Sequence, residues 1–287
     1  MYLNGVSFKR FEAALKNMAI GDSVGYEFEF RSNPDPKRLL QSIAETEPLY
    51  ISDDTQMTLF GVEAMNEAYQ RKLSYGETLE SIKIAYLRWL CTQGSPLKGV
   101  PRTGLLASEK MFNVRAPGNT CIGSLEDIKR ERQVYNNSNG CGTVMRSLPF
   151  ILEKSPLLCV DSAFITHHGN EINQASILYH RYMVELSKDI ESEHTYEVPI
   201  YTGGGWTALS CLRIARHSLL MCKGDFTALL KYSILHDGDS DSTAALAGAL
   251  YGMRCGTYDA ALYDRVYEKD VIDKVLEDIK VFFIEEK

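Results

Sequence analysis

Phe8, Phe11, Leu15 and Met18 recur at steps of three and four residues, so residues 7–20 are predicted to form an amphipathic helix. Comparable periodicity predicts helices over residues 55–70, 77–92, 103–112, 158–167, 171–188, 204–222, 225–235, 242–254 and 258–280. Only two short runs have a strand-like composition, Tyr26–Phe30 and Val281–Ile284, and both read equally well as helix or loop. Residues 113–124 and 189–203 carry turn formers without a period and are expected to be irregular. Neither resembles a Pro- or Ser-rich linker, and no internal repeat is present. The pattern therefore predicts an all-α fold, with residues 1–287 as a single domain.

Composition narrows the range of functions. Charged residues make up 24% of the chain and hydrophobic residues 45%, which is ordinary for a globular protein. The formal net charge of −7 argues against general nucleic-acid binding, which needs a basic surplus. An acidic chain can still hold an anionic nucleotide where metal ions or helix N-termini supply local positive potential. Seven widely spaced cysteines without a CxxC pair fit reduced thiols and provide no zinc framework. The N-terminus lacks the apolar run of a signal peptide, and no stretch approaches ~18 apolar residues. A cytoplasmic protein without membrane association is expected, and a monomer.

Two acidic clusters stand out. Ser52-Asp53-Asp54-Thr55 precedes an apolar-periodic segment. As a simple helix start, its hydroxyl caps the first turn and its acids face the positive end of the dipole. As a metal site, its carboxylates and hydroxyls are the hard oxygen ligands that magnesium or manganese takes. Gly238-Asp239-Ser240-Asp241-Ser242-Thr243 leads into a small-residue helix. A calcium loop of the EF-hand type would need Glu at its twelfth position, where this chain has Leu250. Asp239 to Thr243 also fits a DxDxT phosphohydrolase pattern, which should directly follow a buried parallel strand. Bringing four carboxylates together without cations is electrostatically costly, and two divalent ions would remove that cost.

These clusters resemble the two metal-binding motifs of the ADP-ribosylglycohydrolase family, and further matches follow in the family's order. Gly21-Asp22-Ser23-Val24-Gly25 followed by Glu29 is similar to its GDxxG…E motif. Ala116-Pro117-Gly118-Asn119-Thr120 is similar to its PGNT loop, and Ser138 to Arg146 to its NGxxMR segment in a longer NGCGxxMR form. Thr166-His167 stands where the family has a TH motif. The resemblance spans residues 19 to about 252.

The resemblance implies an all-α fold, a compact orthogonal multi-helix bundle of the family's type, and two magnesium ions, with manganese as a possible substitute. Ser52, Asp53 and Asp54 would ligate from one side, and Asp239, Asp241 and Ser242 from the other. Ser at positions 52 and 242, where the family commonly has Thr, keeps the oxygen and loses a methyl group. Glu29, Asp53 and Asp239 are the implied candidates for moving the proton. Gly118, Asn119, Thr120, Asn139, Gly140, Cys141, Gly142 and His167 are the implied substrate contacts, with main-chain N–H groups facing the pyrophosphate. The implied reaction is hydrolysis of the glycosidic bond between ADP-ribose and an acceptor, releasing ADP-ribose. The acceptor is left open: arginine, serine, a nucleobase or a small molecule. Where relatives often continue the TH motif with a further His and a Pro, this chain has His168-Gly169-Asn170.

Several residues read either way. Arg146 is a phosphate contact or a buried structural partner, with its apolar neighbours favouring the latter. His236 orients a ligand or lies at the surface. Asp22 reads as a loop-stabilising carboxylate rather than as a ligand. The rivals to a hydrolase are a non-catalytic relative that keeps the fold and a magnesium phosphohydrolase built on the DxDxT-like segment.

Overall fold

The computed structural model describes residues 5–190 and 203–283, and among these it is helical, with no strand. Twelve α-helices are described: α1 Phe8–Gly25, α2 Pro36–Ala44, α3 Asp53–Gln70, α4 Tyr75–Thr92, α5 Asn119–Lys129, α6 Leu157–Phe164, α7 Ile172–Ser187, α8 Ala208–Met221, α9 Phe226–Ile234, α10 Ser240–Cys255, α11 Ala260–Tyr263 and α12 Lys269–Lys280. The boundaries follow local chemistry. Ser74 and Glu77 form a reciprocal capping box at the start of α4, Asp225 caps α9, and Gly256 ends α10 in the left-handed conformation.

The differences from the periodicity have identifiable causes. Residues 103–112 are not one helix but two 3-10 turns, Gly104–Ala107 and Glu109–Met111. The Glu63 carboxylate accepts from Leu105 N at 3.0 Å and pins the chain there. Helix α2 lies outside the expected spans; a short apolar face (Leu39, Leu40 and Ile43) forms it behind an Asp35 cap with Pro36 in the first turn. Helix α5 begins inside the stretch expected to be irregular, burying only Cys121, Ser124 and Leu125. The span 258–280 breaks between α11 and α12 because the chain pairs with residue 49. Leu49 N donates to Arg265 O at 2.9 Å and Tyr267 N to Leu49 O at 2.8 Å. Tyr26–Phe28 and Val281–Phe283 are 3-10 turns rather than strands. Most of the other expected irregular stretch, residues 191–202, lies outside the described residues.

The centre of the molecule is the pairing of α1 with α10, against which α7, α8 and α9 also pack. Both helices carry glycine at the crossing. A Cβ on Gly21 would stand 2.1 Å from Ala244 O, and one on Gly248 2.1 Å from Asn17 O. Gly25 and Gly252 are equally tight, against Ser240 O at 2.4 Å and Ala13 O at 2.3 Å. No side chain fits between the two backbones, so their close approach requires glycine. It also brings the C-terminal end of α1 against the N-terminal end of α10, where the second acidic cluster begins.

Candidate metal and substrate site

The two acidic clusters meet. Carboxylate oxygens of Glu29, Asp239 and Asp241 all lie within 4.8 Å of one another. Glu29 follows the 3-10 turn that ends α1, Asp239 caps α10, and Asp241 is in its first turn. Asp53 and Asp54 open α3, and their charges act on this group from the other side. Each helix start also uses its own residues as caps, so the plain capping reading and the site reading hold together. The Ser52 hydroxyl accepts from Asp54 N at 3.2 Å, and Asp239 accepts from Ser242 N at 3.3 Å.

Asp22 organises the start of α3 from within α1. Its carboxylate accepts from Ser52 N at 3.0 Å, Thr55 N at 3.1 Å and Thr55 Oγ1 at 2.5 Å. This is the structural role expected for it, although it sits in a helix and not in a loop. With its oxygens committed to α3, Asp22 is a brace for the ligand-bearing segment.

Burial, joined by the charges of Asp239, Asp53 and Asp22, pushes the Glu29 carboxyl up to about 8. Burial raises Asp53 to about 8 as well, with Asp22 and Asp239 adding to it. Asp54 and Asp241 are held well above the ordinary carboxylate range by burial and then by one another's neighbourhood of acids. One Asp54 oxygen, Oδ2, is buried without a hydrogen-bond partner. Buried acids in this state need protons or cations, and an all-oxygen donor set suits a hard divalent ion. The residues present therefore fit magnesium, which Ser52, Asp53, Asp54, Asp239, Asp241 and Ser242 would hold.

The glycine-rich loops border this cluster. Gly118 N donates to Asp53 Oδ2 at 3.1 Å, and Asn119 and Thr120 form the first turn of α5, which has no side-chain cap. The Cys141 thiol lies 2.8 Å from Asp239 Oδ2 and 3.6 Å from Ser242 Oγ. The 138–142 loop differs from the expectation of free amides. Gly140 N is taken by Ser138 Oγ and Cys141 N by Trp206 O, because the loop is stitched to the chain before α8. The Asn139 side chain is likewise spent on Asn170 and on Glu171 N. His167 is buried beneath the loop rather than open to a cleft, its Nδ1 2.8 Å from Thr166 Oγ1. Burial lowers it to about 3, so its imidazole stays neutral and does not serve as an acid. A Cβ on Gly140 or Gly142 would stand 3.1 Å from its ring, which explains the glycines as close-packing positions.

The family profile of ADP-ribosylglycohydrolases matches residues 5–189 and 170–283. The chain belongs to the ADP-ribosylglycohydrolase family. Its fold is similar to that of a solved structure described as an "ADP-ribosylglycohydrolase-related protein complex", at 17% identity and a TM-score of 0.65, covering 96% of this chain and 99% of the other. No curated protein matches it. Members of this family are ADP-ribosylglycohydrolase-type hydrolases, and this chain has their all-helical fold. Its acidic cluster is of the kind a metal-dependent hydrolase needs. The phosphohydrolase pattern finds no support, since α9 and a turn precede Asp239 where that reading requires a strand. No helix among the described residues is long and apolar enough to cross a membrane.

Three further features lie around the site, and of these only Arg146 carried a reading in the sequence. Arg115 Nη1 donates to Ile51 O at 2.8 Å and pairs with the fully buried Glu268 at 2.6 Å. This clamp fixes the loop that presents Gly118 to the residues just before Asp53. Glu268→Ala should cost about 3 kcal/mol, because it strands a largely buried guanidinium. Urea unfolding checks this, and an unchanged midpoint would deny the clamp. Second, Arg146 is a structural residue rather than a phosphate contact. It is fully buried, donates to Thr166 Oγ1 at 2.6 Å and lies 4.5 Å over the Tyr86 ring. It sits in a turn between two 3-10 segments, not on a regular helix. Third, exposed Phe30 stacks on Trp206 with ring centroids 5.2 Å apart, and its N–H donates to Gly238 O. This flat apolar surface adjoins Glu29. His236 is half-buried, with Nε2 2.9 Å from Thr243 Oγ1, and so braces the first turn of α10.

Proposed function

We propose that this protein is a binuclear magnesium hydrolase that cleaves the glycosidic bond between ADP-ribose and an acceptor. The observation that carries this reading is the meeting of two sequence-distant acidic clusters in one buried site whose carboxylates are held far from their ordinary ionisation. When bound, the two ions supply positive charge for the ribose hydroxyls and acidify a water for attack at the anomeric carbon.

The chain's own residues account for the rest. Asp53 and Asp54 from α3, with Asp239 and Asp241 from α10, form the two walls of the donor set. Glu29 stands beside Asp239 and Asp241 without being part of either helix start, where its carboxylate can take up or return a proton. The uncapped first turn of α5 offers the N–H groups of Asn119 and Thr120 to an anionic diphosphate. The Phe30–Trp206 surface on the Glu29 side offers apolar contact to a flat part of the ligand. Cleavage passes through an oxocarbenium-like state, whose positive charge the surrounding carboxylates stabilise.

The test is a panel of ADP-ribosylated acceptors (arginine, serine, nucleobase and small-molecule conjugates), with released ADP-ribose measured with and without magnesium. We expect release from at least one conjugate, silenced by EDTA and restored by magnesium or manganese. Asp241→Asn should lower it at least a hundredfold while circular dichroism stays helical. Native-rate release by Asp241→Asn, or turnover indifferent to EDTA, would refute the metal assignment.

A further inference from the structure

We propose that Cys141 turns the Asp239 side of this site into a binding site for thiophilic divalent cations, zinc or cadmium, held by Sγ together with the surrounding carboxylates. The inference rests on the metal-site reading above and extends it to a ligand that a magnesium centre does not need.

The geometry supports it from two directions. Cys141 Sγ stands 2.8 Å from Asp239 Oδ2 and 3.6 Å from Ser242 Oγ, so the sulfur already lies among the oxygens assigned to the cation. Sulfur and oxygen bound to one tetrahedral zinc stand about 3.5 Å apart, given Zn–S near 2.3 Å and Zn–O near 2.0 Å. The Ser242 separation meets this as it stands, and the Asp239 separation meets it after an opening of under ~1 Å, which a side-chain rotation supplies. Independently, the Asp54 carboxylate is buried next to Ser242, its charge acts on Cys141, and its Oδ2 has no hydrogen-bond partner. An unpartnered buried carboxylate oxygen near a thiol that already touches Asp239 is an incomplete donor set.

The fold holds the sulfur in place. Cys141 N donates to Trp206 O at 3.1 Å, and Asp239 N donates to Gly204 O at 2.8 Å, so both ligands hang from one glycine turn. Gly203, Gly204 and Gly205 all have positive φ, which permits that turn. On binding, the thiol gives up its proton to solvent and a metal–sulfur bond replaces the S–H bond, with no change of oxidation state. A site that combines thiolate with carboxylate prefers zinc to magnesium both by ligand softness and by the general affinity order. Zinc at low concentration therefore displaces magnesium and arrests the hydrolase.

The experiment uses metal-free protein carrying Cys255→Ser, which removes the exposed thiol. Cadmium titration should develop the ultraviolet charge-transfer band of a cadmium–thiolate bond, saturating at one equivalent. Adding Cys141→Ser should remove at least nine-tenths of that band. Zinc-edge X-ray absorption on the Cys255→Ser protein needs no change at Cys141, and should find one sulfur at about 2.3 Å among oxygen neighbours. A zinc shell of oxygen and nitrogen alone, or a cadmium band that survives Cys141→Ser, overturns the proposal. Thermal stabilisation by magnesium separates the two readings. Magnesium stabilisation with sulfur-free zinc removes only the thiolate inference, and protein that binds neither ion loses the carboxylate site as well.

Discussion

Gly25→Val is expected to destabilise the protein by about 3 kcal/mol or more and to abolish magnesium binding in whatever fraction still folds. A single Cβ at this position would stand 2.4 Å from Ser240 O and 2.7 Å from Asp241 Cα, with backbone atoms that cannot rotate aside. The branched side chain can be accommodated only if α10 moves away from α1, and α10 carries Asp239 and Asp241. Glu29 hangs from the end of α1, so the same displacement separates it from its two partners. The loss of metal binding should exceed what the loss of stability alone predicts. Chemical denaturation and magnesium calorimetry on the same sample check this. Gly76→Ala is the control, because nothing lies within 4 Å of its Cβ position. If Gly25→Val binds magnesium with native affinity, the helix crossing does not set the site.

The second large effect is a dependence of stability on pH that magnesium should erase. Burial and neighbouring acids raise Asp53 and Glu29 from ordinary carboxylate values to about 8, and Asp22 to about 6. Between roughly pH 4 and pH 8 the unfolded chain has released these protons, while the metal-free folded chain still holds those of Asp53 and Glu29 throughout and that of Asp22 up to about 6. The unfolded state binds fewer protons there, so stability falls as pH rises. This is the reverse of the usual acid-denaturation pattern, in which salt-bridged carboxylates are stabilising above pH 4. Each tenfold gain in a carboxyl group's proton affinity on folding corresponds to about 1.4 kcal/mol, so the metal-free protein should lose at least about 2 kcal/mol across the window. That corresponds to a melting temperature lower by about 5 °C. With saturating magnesium the carboxylates ionise against the cations, and the slope should flatten or reverse. Melting curves from pH 5 to pH 8, with EDTA or with magnesium, measure it. A metal-free protein that gains stability with rising pH would show that these acids are already neutralised within the fold.

The local character of most of the chain follows from neighbouring residues. Helices α1, α3, α4, α7, α8, α9 and α10 lie within a few residues of the apolar periods, and all of them but α7 begin at a side-chain cap. The acidic motifs and their order were equally evident, since a helix start with two acids and a hydroxyl is a short-range pattern. Where the sequence misled, long-range contacts were responsible. Glu63 holds residues 103–105 out of a helix, and residue 49 interrupts the span between α11 and α12. The free amides expected in the 138–142 loop were taken by Ser138 and by Trp206, the latter far along the chain.

By itself the sequence determined the helical class, the two acidic helix starts and the family, because these depend on residue type at short spacing. Only the tertiary structure decided that Glu29 joins Asp239 and Asp241, that Arg115 closes on Glu268, and that Cys141 touches Asp239. Those contacts depend on how closely two backbones can approach. That distance is set where α1 and α10 meet glycine to backbone, and no pattern along one segment encodes it.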